Sequence, residues 1–198
     1  MEITLGPLGI TWKGNGHGAA LVSQYGSALE EAVDRGNVYA TANQTTVTTQ
    51  AGLSVTTPAL TIANRNGSRQ LVKLWYVSCT SLVAAGAAAA IFAALGRRHS
   101  TAVIETAAAT TANMKTGDAS APPGVPCLSV ATLPAAPVAV GILGAQTSAA
   151  ISTSPVGSFF ERWYNGALFI DEGCNFSLQT STASTLFCEY IFEVVATR

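Results

Sequence analysis

At 198 residues with a formal net charge of −1, the chain is long enough to bury a sizeable core and carries no basic excess to neutralise phosphates, so no nucleic-acid partner is expected. Charged residues make up 11% and hydrophobic residues 48%. That charge share is less than half of the usual ~25%, so part of the surface is expected to be covered by other subunits.

Residues 1 to 18 read as an arm, broken early by Gly6, Pro7 and Gly9 and made flexible by Gly14-Asn15-Gly16-His17-Gly18. The glycine cluster lacks the Lys-Ser/Thr of a P-loop and the βαβ setting of a dinucleotide site, so no cofactor is expected there. Met1-Glu2-Ile3-Thr4 has no basic and apolar leader pattern, so no secretory signal is expected. The spacing of Leu21, Tyr25, Ala28, Leu29, Ala32 and Val33 predicts a helix over Ala19 to Arg35, terminated by Gly36.

After Gly36 the chain turns to strand chemistry. Asn37 to Gln50 is rich in threonine and other β-branched residues, and Leu53 to Ala63 reads as a strand with Pro58 at an edge or bulge. Asn64-Arg65-Asn66-Gly67-Ser68 contains an Asn-Gly hairpin signal, and Arg69 to Thr80 follows as a strand. The run from Trp75 to Gly96 approaches the length of a membrane span. Ser78, Thr80 and Ser81 interrupt it, and Leu71, Lys73, Trp75 and Val77 continue an alternating strand into it. Two strands joined by an Ala/Gly-rich loop, the second near Ala90 to Ala94, are therefore expected, and no membrane partner.

Glu105 to Pro126 reads as a long polar loop, mobile or in contact with partners. Strands are expected at Cys127 to Leu133, Val138 to Leu143 and Ala149 to Thr153. The aromatic block Phe159 to Tyr164 precedes a second Asn-Gly turn at Asn165-Gly166. From Gly166 to Val195 the pattern is that of a terminal β-hairpin. Cys174, Phe176 and Leu178 alternate with Asn175, Ser177 and Gln179 on a strand with one dry face. Beyond the turn Ser181 to Ser184, Leu186, Cys188, Tyr190, Phe192 and Val194 face the core. Phe187, Glu189, Ile191 and Glu193 form a face too apolar for water alone, where a neighbouring subunit is expected. The fold class is all-β, a jelly-roll-like antiparallel β-sandwich (37–198) with a short N-terminal arm and helix (1–36).

Candidate chemistry is sparse. His17 and His99 have no carboxylate or cysteine at ligand spacing, and no serine lies in a nucleophile elbow. Glu189 and Glu193 share a strand face about 13 Å apart, whereas a glycosidase pair needs about 5 to 9.5 Å. Whether Glu161, Asp171 or Glu172 approaches them is open in the sequence. Asp171-Glu172-Gly173 lacks the repeated oxygen ligands of a calcium loop. Cys79, Cys127, Cys174 and Cys188 show no C-x-x-C spacing and read as buried free thiols, with a Cys174–Cys188 cross-strand bond left open. Phe159 to Tyr164 reads as core or subunit packing, with a sugar-stacking platform as the competing reading. No catalytic, cofactor or metal residue is assigned, and no enzyme is expected.

Three passages carry a family resemblance. They are GNVYATANQTTVTTQAGLSVTTPALTIANRNGSRQLVKLWYV (Gly36 to Val77), ATLPAAPVAVGILG (Ala131 to Gly144) and FIDEGCNFSLQTSTASTLFCEYIFEV (Phe169 to Val195). They resemble the decoration, or cement, proteins of tailed bacteriophages, with Asp171-Glu172-Gly173 standing where the family has a proline-glycine turn. The resemblance implies a non-enzymatic jelly-roll protein on the outer surface of the virion capsid. It implies a homotrimer whose partner is the major capsid protein, stabilising the head. Met1 to Arg35 is the expected contact segment and Glu105 to Pro126 the second choice. A virion spike, fibre or neck/baseplate module that binds a host glycan or another virion protein is the alternative.

Overall fold

The computed structural model describes residues 2–5, 10–14, 20–21, 27–81, 88–120, 122–146 and 158–197. They fall into two compact units, Met1–Glu31 and Ala32–Arg198. The expected strand at Ala149 to Thr153 and the residue His17 lie outside the described residues.

In the first unit, β1 (Glu2–Leu5), β2 (Ile10–Gly14) and β3 (Ala20–Leu21) form an antiparallel meander. Strands thus occupy part of the expected arm, and β3 lies where the helix was expected to start. The helix is short, α1 (Ala28–Asp34). Its start is set by a capping box, in which Ser27 Oγ accepts from Glu30 N at 3.2 Å and Glu30 Oε2 accepts from Ser27 N. Gly36, at φ 75°, ends it, with Gly36 N donating to Val33 O and Asn37 N to Ala32 O. The apolar periodicity reached upstream to Leu21, but Ser27 is where the cap stands.

The second unit is an all-β sandwich of two antiparallel sheets. The first sheet runs β10 (Thr110–Asn113), β4 (Val38–Ala42), β15 (Thr185–Ala196), β7 (Gln70–Ser81), β13 (Ser158–Ile170), with β5 (Val47–Thr48) added to the start of β15. The second runs β12 (Val138–Gln146), β8 (Ala89–Gly96), β14 (Asn175–Thr180), β6 (Thr61–Ala63), β11 (Cys127–Thr132), β9 (Ile104–Ala108). The chain passes from sheet to sheet between β5 and β6, β6 and β7, β7 and β8, β9 and β10, β10 and β11, β12 and β13, β13 and β14, and β14 and β15, the jelly-roll-like habit.

Those crossings correct four expectations. The terminal segment is not a paired hairpin: β14 bonds to β6 and β8, while β15 bonds to β4, β5 and β7. The two strands face each other across the core, where Phe176 and Tyr190 meet edge-on at 5.3 Å. The Asn64–Ser68 turn likewise joins strands of different sheets. Asn64 is buried there, and its Nδ2 donates to Gln70 O and Ile170 O. Asn165-Gly166 is a left-handed pair inside β13 rather than a hairpin turn, since Trp163 opposes Tyr76 and Leu168 opposes Leu74 on one and the same neighbour. Finally, Glu105 to Pro126 is not one loop. Its first half forms edge strands β9 and β10, and Ala109 carries the chain between sheets by donating N–H to Cys127 O. Small side chains that cannot build a core can still pair at an edge.

The inward residues named from the sequence, Leu186, Cys188, Tyr190, Phe192 and Val194, are all buried and pack with Val72, Leu74, Ile91, Phe176 and Leu178. β14 has no wet face, however: Asn175, Ser177 and Gln179 are buried too. Only Thr61–Ala63 of the expected Leu53 to Ala63 strand is regular. The preceding segment bridges at Gly52 to Thr180 and at Thr56 to Thr132, and Gln179 Nε2 donates to Ser54 O. No described helix is long and apolar enough to cross a membrane.

Candidate functional site

The outer face of the first sheet gathers residues that are far apart in sequence. Register across β13, β7 and β15 sets them in rows: Phe159, Thr80, Phe187; Glu161, Ser78, Glu189; Trp163, Tyr76, Ile191; Phe169, Lys73, Glu193. Phe159 is 61% exposed, Trp163 51% and Phe169 53%. Trp163 lies against Tyr76 at a ring-centroid distance of 4.7 Å and an interplanar angle of 49°. Tyr76 donates its hydroxyl to Glu161 Oε2 at 2.8 Å. Burial first, and then that hydrogen bond, raise the phenol above its ordinary value, so it stays a donor at neutral pH.

This arrangement answers the question of the carboxylates. Glu161 and Glu189 do share a row, on either side of Ser78, whose hydroxyl donates to Glu189 Oε2 at 3.4 Å. Two strand spacings put their backbones about 10 Å apart on an open sheet surface. Glu193 is buried and pairs with Lys73 Nζ at 3.5 Å. The row therefore lies on an open sheet surface of rings and hydrogen-bond acceptors.

The other named residues have structural tasks. Glu172 accepts from Arg69 N through Oε1 at 2.5 Å, contacts Gly67 N, and pairs with Arg98 at 3.8 Å, so it fastens the turn at 66–69. Asp171 Oδ1 accepts from Glu172 N, and His99 Nδ1 accepts from Thr101 N. All four cysteines are free, which closes the Cys174–Cys188 alternative. Burial pushes Cys79 up to about 12 and Cys127 up to about 11, and holds Cys188, opposite Cys79, well above its usual range. Thiols so placed are poor nucleophiles. Among the described residues no group of three His, Cys, Asp or Glu is placed to hold a metal ion.

Two further surfaces stand out. β12 and β13 end the two sheets on the same side of the sandwich, where Arg162 and Phe160 reach over Gly141 and Gly144. In the first unit, the register sets Ile3 opposite Trp12 and Leu5 opposite Ile10, alternating with Glu2–Lys13 and Thr4–Thr11. Glycine and proline give this stretch the look of an arm in the sequence; the period-2 alternation of Ile3 with Leu5 and of Ile10 with Trp12 is the signal for its strands. Compared with protein-family models, curated proteins and solved structures, the chain matches none.

Proposed function

We propose that this chain is a structural virion protein of the decoration, or cement, type, which binds the major capsid protein on the outer surface of a tailed-bacteriophage head and stabilises the shell. It performs no catalysis in this reading. The observation that carries it is the first unit, Met1–Glu31, a separate short meander whose hairpin register alternates apolar with polar pairs. Strands of four, five and two residues are too short to bury a core of their own, since chains below about 40 residues rarely fold unaided. An element too short to close a core of its own gains its stability by docking on something larger. A sandwich body with such an attachment element, together with the family resemblance of Gly36 to Val77 and Phe169 to Val195, supports a protein that works by fastening. Many copies held in an array would convert modest single contacts into lasting occupancy.

The test is stoichiometric. In purified particles the chain should approach the major capsid protein in copy number, and Ile3→Asp with Ile10→Asp should strip it from the shell while the sandwich still folds. A few copies per particle would overturn the reading. The Trp163–Tyr76 pair beside Glu161 favours one second reading, a spike or fibre module that stacks a host sugar on these rings. Quenching of tryptophan fluorescence by a glycan panel, abolished in Trp163→Ala, would establish that alternative.

A further inference from the structure

Between β5 and β6 the chain makes an excursion outside the regular strands, and both of its ends are pinned. At the near end Thr49 is buried, with its N–H and its hydroxyl donating to Ser184 O and its hydroxyl also meeting that of Thr180. At the far end Ala59 N donates to Leu178 O, and Leu60 O accepts the Tyr190 hydroxyl. Gly52 N donates to Thr180 O, so the chain takes seven steps from Gly52 to Ala59 while β14 takes two from Thr180 to Leu178. The surplus cannot follow β14. It lies along the end of β11 instead, where Thr57 N donates to Ala131 O at 3.3 Å, Leu133 N donates to Val55 O at 2.7 Å, and Thr56 bridges Thr132.

Three features weaken the hold on this segment. It is bracketed by two left-handed residues, Gly52 at φ 79° and Thr57 at φ 46°. Glycine takes that conformation freely, but a β-branched threonine is strained in it. None of residues 52–57 is buried, Leu53 being 36% exposed, and burial resumes only at Pro58. A cover that removes little apolar area from water has little hydrophobic hold. Lastly, the covered side chain is incompletely paired. Gln179 is 0% exposed; its Nε2 donates to Ser54 O at 3.3 Å and to Ser177 Oγ at 3.2 Å, while its Oε1 has no hydrogen-bond partner among the described residues. A buried amide oxygen without a donor disfavours the closed arrangement and is paired by water once the cover lifts.

We infer that residues 52–57 form a strap that lifts from the second sheet as one unit, turning about Gly52 and Thr57 while the sandwich beneath stays folded. Lifting breaks the bonds to Thr180, Ala131, Leu133 and Gln179 and keeps those of Thr49 and Ala59. It relieves the strain at Thr57 and wets Gln179. The alternation of β14 places Ser177 and Gln179 on a polar face, and the lifted strap is the state in which Gln179 of that face meets water. The inference is independent of the proposed function, since it concerns the isolated chain.

The experiment is native-state amide hydrogen exchange of the full chain, read residue by residue by NMR. The N–H groups of Gly52, Thr57 and Leu133 report the strap, and those of Ala59 and Leu178 report the sandwich. The three strap amides are expected to share one protection factor, at least about 100-fold below that of Ala59 and Leu178. Two variants bias the hinges in opposite directions. Gly52→Ala sets its Cβ in open space and adds only backbone strain, so exchange at Thr57 and Leu133 is expected to speed about 5-fold. Thr57→Asn places a residue that tolerates the left-handed conformation, so exchange at Gly52 and Leu133 is expected to slow by a similar factor, about 5-fold. Strap amides protected as strongly as Ala59 and Leu178 would overturn the inference, because the segment would then open only with the whole fold. Three unrelated protection factors would overturn it too, as would exchange that neither hinge variant changes.

Discussion

Replacing Tyr190 with phenylalanine tests how the core is joined. Tyr190 is fully buried on β15, and its hydroxyl bridges two backbone groups of the facing sheet: it donates to Leu60 O at 2.6 Å and accepts from Leu178 N at 3.1 Å. The β6–β14 ladder reaches its last pair at Thr61 and Ser177, and Ala59 N resumes bonding to Leu178 O beyond the hydroxyl. The phenol therefore fills the missing rung. Tyr190→Phe preserves shape and apolar area but strands one buried N–H and one buried C=O, at about 1–3 kcal/mol each. The expected loss is about 2–5 kcal/mol. For a chain of this size, ~2–4 °C per kcal/mol makes that a fall of roughly 5–15 °C in Tm. Urea unfolding followed by circular dichroism should show a lower midpoint with an unchanged m-value. An argument from hydrophobicity alone expects no change, so a loss under about 0.5 kcal/mol would refute the bridging role.

Two other outcomes follow from buried groups. Cys79, Cys127, Cys188 and Tyr190 all hold their protons more tightly in the folded chain, because burial disfavours the anion. The unfolded chain releases thiol protons from about pH 8.5, so stability is full below that pH and is lost as pH rises toward 11–12, by up to ~1.4 kcal/mol per pH unit per thiol. A urea midpoint that stays flat from pH 7 to 10 would contradict this, and so would rapid native-state labelling of these three cysteines. Gly96→Ala places a Cβ against the amide group of Asn175, closer than real Cβ contacts come, and Asn175 is itself buried, so the side chain must shift within the core. A cost of about 1–3 kcal/mol is expected, read as a lower Tm; a variant as stable as the wild type would show that the β8–β14 contact is loose.

Much of the sandwich was legible in the chain because strand parity is local. The inward set from Leu186 to Val194 follows from period-2 alternation alone, and so do the existence of β7, β8, β11 and β12. The N-terminal hairpin obeys the same rule, with Gly6, Pro7 and Gly9 interrupting the alternation between its strands. What parity does not encode is which strand lies beside which. The last two strands look like a hairpin, since a short polar turn joins two alternating segments; they separate into opposite sheets because each is paired on both sides there, β15 by β7 and β4, and β14 by β8 and β6. Asn165-Gly166 shows the same limit. The left-handed pair is a local property, but turn or bulge depends on whether the flanks pair with each other or with a common neighbour.

The sequence by itself determined the all-β class, the core face of the closing strand and the scarcity of reaction chemistry, because composition and side-chain alternation act within a few residues. Tertiary structure alone decided that Glu161 and Glu189 flank Ser78, that Trp163 meets Tyr76, that both faces of β14 are dry, and that Phe159, Trp163 and Phe169 share the exposed face of one sheet. Each of these depends on register between strands tens of residues apart, which is set by the summed packing of the whole sandwich and has no local signal in the chain.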